Sequence, residues 1–214
     1  MSVIKNRIRN IIFDLGGVLL DVDVQQTLDA FNDLGLNGKI IMEIYHRPVN
    51  FFYEFEKGRI TAKEFRDSLR KLTNRNISDE EIDVAWNAMI LGFPEEKIKL
   101  LIHTKEKYKI ILLSNTNELH LPYYSNRLTE QFPGTNLDDL FETTYYSHLV
   151  KERKPDPEIY KYVLEDSQLN PEETLFIDDM LPNIEMAQTF GIVTYHFNKS
   201  DSLDQVLARF NLLQ

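Results

Sequence analysis

The chain predicts an α/β fold, a doubly wound parallel sheet with a small helical bundle inserted after its first strand, and three observations carry that prediction. Apolar runs at residues 11–13, 108–113 and 174–177 are too short for helices and read as buried strands. From Pro94 onward helical and strand patterns alternate, as they do where parallel strands are joined by crossover helices. Between the first two of those strands, residues 24–92 carry helix signals and no strand signal.

The first strand ends in a carboxylate, Asp14, with Gly16 and Gly17 close behind. A buried strand that delivers an unpaired carboxylate to its own mouth carries a desolvation cost, which a cation or hydrogen-bond donors must offset. Glycines there let the backbone turn sharply and approach a ligand. Open α/β sheets bind ligands outside the carboxyl ends of their strands. Asp14 is therefore a candidate nucleophile or metal ligand.

In the helical stretch, Val24, Leu28, Phe31 and Leu34 recur at helical spacing up to Gly35, and Ile40, Ile41 and Ile44 form a second helix before Pro48. Phe51, Phe52 and Phe55 make an aromatic face running to Gly58, a C-terminal cap. Thr61 with Glu64, and Ser78 with Glu81, are capping boxes. Each opens a periodic segment, Phe65-Leu69-Leu72 and Ile82-Ala85-Trp86-Met89. The expected division is a helical unit at 23–92 and a sheet domain made of 1–22 and 93–214. Beyond it the reading gives a helix at 94–106, a strand ending in Ser114 and Asn115, and helix with loop over 117–140. A strand at 143–147 follows, then a helix at 157–166 with Pro157 in its first turn. The strand at 174–177 ends in Asp178 and Asp179. A helix at 183–190 stopped by Gly191, a strand at 192–197 and a helix at 201–211 complete the chain.

Composition bounds the function. A chain of 214 residues, 43% hydrophobic, can bury a full core without covalent staples. The absence of cysteine excludes disulfides, thiol catalysis and zinc–thiolate sites. Lys and Arg number 24 against 34 Asp and Glu, and the net charge of −10 disfavours nucleic acid as a partner. The same field repels phosphorylated ligands unless local cations or a metal reverse it. Residues 1–10 carry Lys5, Arg7 and Arg9 but no apolar leader core, and no run is long enough to span a membrane. A cytoplasmic protein without a membrane partner is expected; oligomeric state is not legible. Five histidines are scattered with no metal-binding spacing, and read as surface or second-layer residues.

Three strands thus end in polar groups: Asp14, Ser114-Asn115 and Asp178-Asp179. Strand ends often carry Asp or Ser as helix caps, but parallel strands bring these three to one edge. Carboxylates gathered there call for a cation, and oxygen-only ligation points to Mg²⁺. Lys154, before Pro155, would be an ordinary loop residue on its own. Preceding the helix that leads to the Asp178 strand, it can reach the same edge and neutralise a phosphate as a point charge.

Asp14-Leu15-Gly16-Gly17-Val18, Ser114, Lys154-Pro155 and Phe176-Ile177-Asp178-Asp179 resemble, in order and spacing, the four motifs of the haloacid dehalogenase (HAD) superfamily, and within it the small sugar-phosphate phosphatases. The resemblance covers nearly the whole chain and implies a Rossmann-like core with residues 23–92 as its helical cap. It implies that Asp14 is the nucleophile, forming an aspartyl-phosphate. Ser114, the Asn115 amide and Lys154 would hold phosphoryl oxygens, and Lys154 would also stabilise Asp14 and the transition-state charge. Mg²⁺ would be held by Asp14, the Gly16 main-chain carbonyl, Asp179, and Asp178 directly or through water. The partner implied is a small phosphorylated metabolite, a sugar phosphate.

One departure stands out: most phosphatases of the superfamily carry a second Asp two residues after the nucleophile, as general acid and base, where this chain has Gly16. Its lack should slow a demanding leaving group, and Asp21 or Asp23 are possible substitutes, although capping or sugar binding suits either better. A 2-haloacid dehalogenase also lacks that Asp, but needs no metal and no acidic pair in the fourth motif. A phospho-accepting receiver domain has its acidic pair and acceptor Asp in the opposite order. A degenerate member kept for binding is a further alternative. In the cap, Phe51, Phe52, Phe55 and Trp86 read as bundle core, with one or two lining the pocket. Glu56 beside Gly58 reads as a solvated acid or a hydroxyl contact; Arg47 and His120 are outside candidates for substrate contact.

Overall fold

The protein is described here by a computed structural model covering residues 8–213. The sequence reading of residues 1–7 as lacking a leader lies outside the described residues. Strand β1 is Asn10–Phe13, β2 Asp21–Val22, β3 Ile90–Gly92, β4 Lys109–Ser114, β5 Thr143–Tyr146, β6 Thr174–Asp178 and β7 Val193–His196. Five of them form a parallel sheet in the order β5-β4-β1-β6-β7. The helices are α1 (Val24–Asp33), α2 (Gly38–Tyr45), α3 (Phe51–Glu56), α4 (Ala62–Arg70), α5 (Asp79–Asn87) and α6 (Glu95–Lys105). They continue with α7 (His120–Gln131), α8 (Ser147–Val150), α9 (Pro157–Asp166), α10 (Leu181–Thr189) and α11 (Leu203–Arg209).

The sheet is buried on both faces because strand side chains alternate and both sets are apolar. Ile11 and Phe13, with Ile110, Leu112, Leu175 and Ile177, pack beside Ile98 and Leu101 of α6, Leu128 of α7 and Leu207 of α11. Ile12, Ile111, Leu113 and Phe176 point the other way, onto Ile159, Tyr160 and Val163 of α9 and Ile184 and Ala187 of α10. Helices α1–α5 have a core of their own, in which Phe31, Phe52, Phe55, Phe65, Leu69 and Ile82 are fully buried. Both capping boxes form: Thr61 and Ser78 each accept from the backbone N–H three residues on, while Glu64 and Glu81 reach back to them.

Two features differ from the sequence reading. Residues 90–92, placed within the helical stretch, form β3, which pairs antiparallel with β2. The chain therefore enters and leaves α1–α5 on adjacent strands, and the expected boundaries at 22/23 and 92/93 leave one strand of this ribbon on either side. Ser147, expected to extend β5, instead opens α8: its Oγ accepts from the Thr116 N–H and donates to the Thr116 carbonyl, both at 2.9 Å, which turns the chain away from the sheet. Among the described residues no helix is long and apolar enough to cross a membrane.

Candidate active site

Strand register assembles the site. Phe13 pairs with Leu112 on β4 and Ile177 on β6, so Asp14 stands level with Leu113 and Asp178 as the strands run out. The Asp14 N–H donates to the Ile177 carbonyl at 2.9 Å, fixing its backbone. Ser114, one position further on β4, completes the group of strand ends.

Lys154 arrives from the loop after α8 and is 1% exposed. Its ammonium donates to Asp14 Oδ1, Asp178 Oδ2 and the Leu113 carbonyl, each at 2.7 Å, so all three of its donors are used. Burial alone would lower the Lys154 pKa; Asp14 and Asp178 outweigh it and hold the ammonium above the ordinary lysine value. The Asn115 side chain sets the backbone behind it, donating to the Lys154 carbonyl at 2.8 Å and accepting from its N–H at 2.9 Å. The side-chain amide of Asn115 is thus spent on the Lys154 backbone. Ser114 Oγ, in a buried residue, makes only a 3.5 Å contact with the Asn115 carbonyl, so its hydroxyl is nearly uncommitted.

One oxygen each from Asp14, Asp178 and Asp179 lie within 4.8 Å of one another, the arrangement of a small metal site. Burial raises the Asp14 pKa to about 7, with Lys154 opposing and Asp178 and Asp179 adding to the rise. Asp179 is raised as well, by burial and then by Asp178. Two neighbouring carboxyls that resist ionisation, with oxygen donors only, match a hard divalent cation such as Mg²⁺. The three acids are not equivalent. Asp178 is saturated: Oδ1 accepts from the Met180 N–H (2.8 Å) and Asn183 Nδ2 (2.9 Å), Oδ2 from Lys154 and Asn183 (3.0 Å). Free lone pairs therefore concentrate on Asp14 and Asp179.

Gly17 makes room for Asp179. Its φ is +77°, and a Cβ there would lie against Asp179 Oδ2 and 2.8 Å from Asp179 Cγ. The turn after Asp14 closes by bonds from the Gly17 N–H to Leu20 and from the Leu19 and Leu20 N–H groups to Leu15. At Gly16, by contrast, a Cβ would meet only Val22 Cγ1, at 3.7 Å. The backbone there has room for a side chain, so the missing acid is a matter of residue identity rather than space.

The proposed substitutes for that acid are occupied elsewhere: Asp23 caps α1 by accepting from the Gln25 N–H, and exposed Asp21 pairs with Lys97 at 2.9 Å. Glu56 is not a solvated acid. Its side chain is 13% exposed and its carboxylate accepts from Arg153 Nε at 2.7 Å, because α3 packs onto the loop that carries Lys154. Arg47 is exposed. Phe52 and Phe55 are bundle core, whereas Trp86 also reaches the sheet domain, its ring tilted at 39° and 4.6 Å from the His120 ring, with Nε1 3.4 Å from Asn117 Oδ1. His120 and His148 are buried second-layer residues, and His196 Nε2 donates to the Asp179 carbonyl at 2.9 Å. Sequence reasoning missed Asn183, whose signal was an amide in the first turn of the helix that follows Asp178-Asp179, and gave Arg153 no role.

A profile described as haloacid dehalogenase-like hydrolase matches residues 8–191. The chain is 35% identical over 198 residues to a D-ribitol-5-phosphate phosphatase of Bacteroides thetaiotaomicron, covering 88% of this chain and 91% of that one. It is 28% identical to a phosphorylated carbohydrates phosphatase of Thermotoga maritima, over 85% of this chain and 81% of that one. An aspartate-to-alanine variant of a HAD-family enzyme from Bacteroides thetaiotaomicron, crystallised with magnesium and inorganic phosphate, superposes with a TM-score of 0.87 at 37% identity, over 94% of this chain and 98% of that one.

Proposed function

Because the chain belongs to the haloacid dehalogenase-like hydrolases, we propose that it is a phosphatase that removes the phosphoryl group from a small sugar or polyol phosphate through an aspartyl-phosphate on Asp14. The observation that carries this reading is the single sheet edge shared by Asp14, Lys154 and the acidic pair, with Lys154 bonded to Asp14 and Asp178 at once. The substrate class is supported by the named activities of the relatives.

Asp14 attacks phosphorus in line with the leaving oxygen, and that oxygen departs as the new Asp14–phosphorus bond forms; water then cleaves the acyl phosphate. Ser114 Oγ and the Asn115 main-chain N–H receive the phosphoryl oxygens. Lys154 favours the ionised form of Asp14 against the effect of burial; when the Asp14 oxygen bonds phosphorus, the N–H it releases is free for a phosphoryl oxygen. Asp178, held by Asn183, aims Lys154. Mg²⁺ would be held by Asp14, Asp179 and the Gly16 carbonyl, with Asp178 beside it, and when bound it offsets the repulsion between the anionic site and an anionic phosphate. Residues 23–92 act as the cap over the leaving group, on a catalytic core of 1–22 and 93–214, in a cytoplasmic enzyme.

The test is a panel of phosphorylated sugars and polyols assayed with Mg²⁺, with chelator, and with Asp14→Asn, beside a 2-haloacid control. Turnover of a panel member that chelator and Asp14→Asn each reduce by about 10³-fold or more is the expected result. An Asp14→Asn enzyme at the wild-type rate, or haloacid turnover that survives chelator, overturns it.

A further inference from the structure

Arg153 precedes Lys154 in the chain, and its side chain points away from the sheet into α3. Its guanidinium carbon lies 4.0 Å from the centre of the Tyr53 ring and Nε donates to Glu56 Oε2 at 2.7 Å. The Arg153 and Glu56 side chains are 10% and 13% exposed, against 16% and 29% for Arg66–Asp83 within α1–α5, and a partner more than a third exposed in Lys63–Asp67 and Arg70–Asp67. A guanidinium that both stacks and bonds is fixed in direction as well as place. Neighbouring contacts bring the same end of α3 down on the same loop. Lys151 Nζ donates to the Gly58 carbonyl at 2.8 Å, and Lys57 pairs with Asp156 at 2.6 Å. Gly58, at φ +57°, has the His148 carbonyl where its Cβ would be. On its other side the Lys154 backbone is clamped by Asn115. Two successive residues are thus anchored in different parts of the molecule, Arg153 in the helical segment and Lys154 in the sheet edge. The pair is thus one residue along the chain from the ammonium that bonds Asp14.

We propose that Arg153 and Glu56 are a positioning pair for Lys154, which ties the aim of its ammonium at Asp14 to the seating of α3 on residues 151–156. The inference rests on the roles given above to Asp14 and Lys154. A desolvated ion pair is a poor source of net stability but a sensitive one, since removing either partner strands the other. Such a pair suits a contact that must be either made or absent, so that Lys154 is fully aimed only while the helical segment is down.

The experiment measures kcat and KM with p-nitrophenyl phosphate and Mg²⁺ for wild type, Glu56→Gln, Arg153→Met, the double variant, and Arg153→Met in a Lys154→Met background. Thermal unfolding reports folding, and the near-isosteric Glu56→Gln keeps the test alive if Arg153→Met does not fold. The expected result is a fall in kcat of about tenfold or more in each single variant, with KM within about twofold, and a double variant no slower than the slower single. Arg153→Met should cost nothing further once Lys154 is Met, which a general loss of structure would not reproduce. Multiplying effects, a kcat within twofold of wild type in folded variants, or a raised KM with kcat unchanged (the pair touching substrate) would each overturn the proposal. Asp14→Asn run alongside separates the two levels: if it is as fast as wild type, the underlying reading fails; if it is inactive while the Arg153 and Glu56 variants are silent, only this inference fails.

Discussion

Replacing Gly17 by Ala isolates the contact on which the proposed Mg²⁺ site depends. At φ +77° an L side chain costs about 1–2 kcal/mol relative to glycine. The new Cβ also lies 2.8 Å from Asp179 Cγ, so Asp179 must leave its rotamer, at a further 0.5–1.5 kcal/mol or about that much. The combined loss is about 1.5–3.5 kcal/mol, and the displaced carboxylate is one of the two with free lone pairs. Gly134 supplies the control: its φ is +85°, with nothing within 4 Å of a Cβ, so Gly134→Ala carries the backbone cost alone. Both variants are unfolded in denaturant with chelator present, and their activity is titrated with Mg²⁺. Gly134→Ala is expected to lose about 1–2 kcal/mol and to titrate like wild type. Gly17→Ala should lose more and need at least about tenfold more Mg²⁺ for half-maximal activity, the equivalent of about 1.4 kcal/mol in binding. Equal destabilisation and identical titrations in the two variants would refute the placement of Asp179 as a ligand.

Two further outcomes follow from the same geometry. Gly16→Asp adds a carboxyl on a backbone with room for its Cβ, and should raise kcat for an unactivated alkyl phosphate by tenfold or more, up to the roughly 10²–10⁴-fold that general acid–base help supplies; an unchanged rate in a folded variant argues against an accessible position. His120, whose pKa burial lowers to about 3, binds a proton more readily unfolded than folded between that value and about 6.5. Its stabilisation is therefore intact above pH 6.5 and lost progressively as pH falls towards 3, reaching about 2 kcal/mol at pH 5. Denaturant unfolding of wild type and His120→Phe at pH 7 and 5 checks this: the wild type should lose more by that margin, and parallel losses would contradict it.

What the sequence made legible was local. The strands β1, β4 and β6 each contain an unbroken apolar run, and the capping boxes at Thr61 and Ser78 need only residues three apart. The strand-end residues Asp14, Ser114, Asp178 and Asp179 could be gathered on one edge because parallel strands leave no other arrangement. Lys154 could be brought there by resemblance, but its three bonds could not be foreseen, one of them going to a main-chain carbonyl. Pairings across long separations were out of reach: Glu56 and Arg153 lie 97 residues apart, and each alone reads as a surface charge. The β2–β3 ribbon was hidden for a related reason, since strands of two and three residues have no period to detect.

That ribbon bears on how this scaffold can change. Adjacent strands run about 5 Å apart, so the ends of everything between Val22 and Ile90 are already brought together before the insert begins. Altering the insert's length then adds little closure entropy, which grows only logarithmically with the number of residues. Helices can be traded, shortened or multiplied beyond the ribbon without moving the strand that carries Asp14. A single hydrolytic apparatus can thereby be refitted to new molecules through a socket two short strands wide.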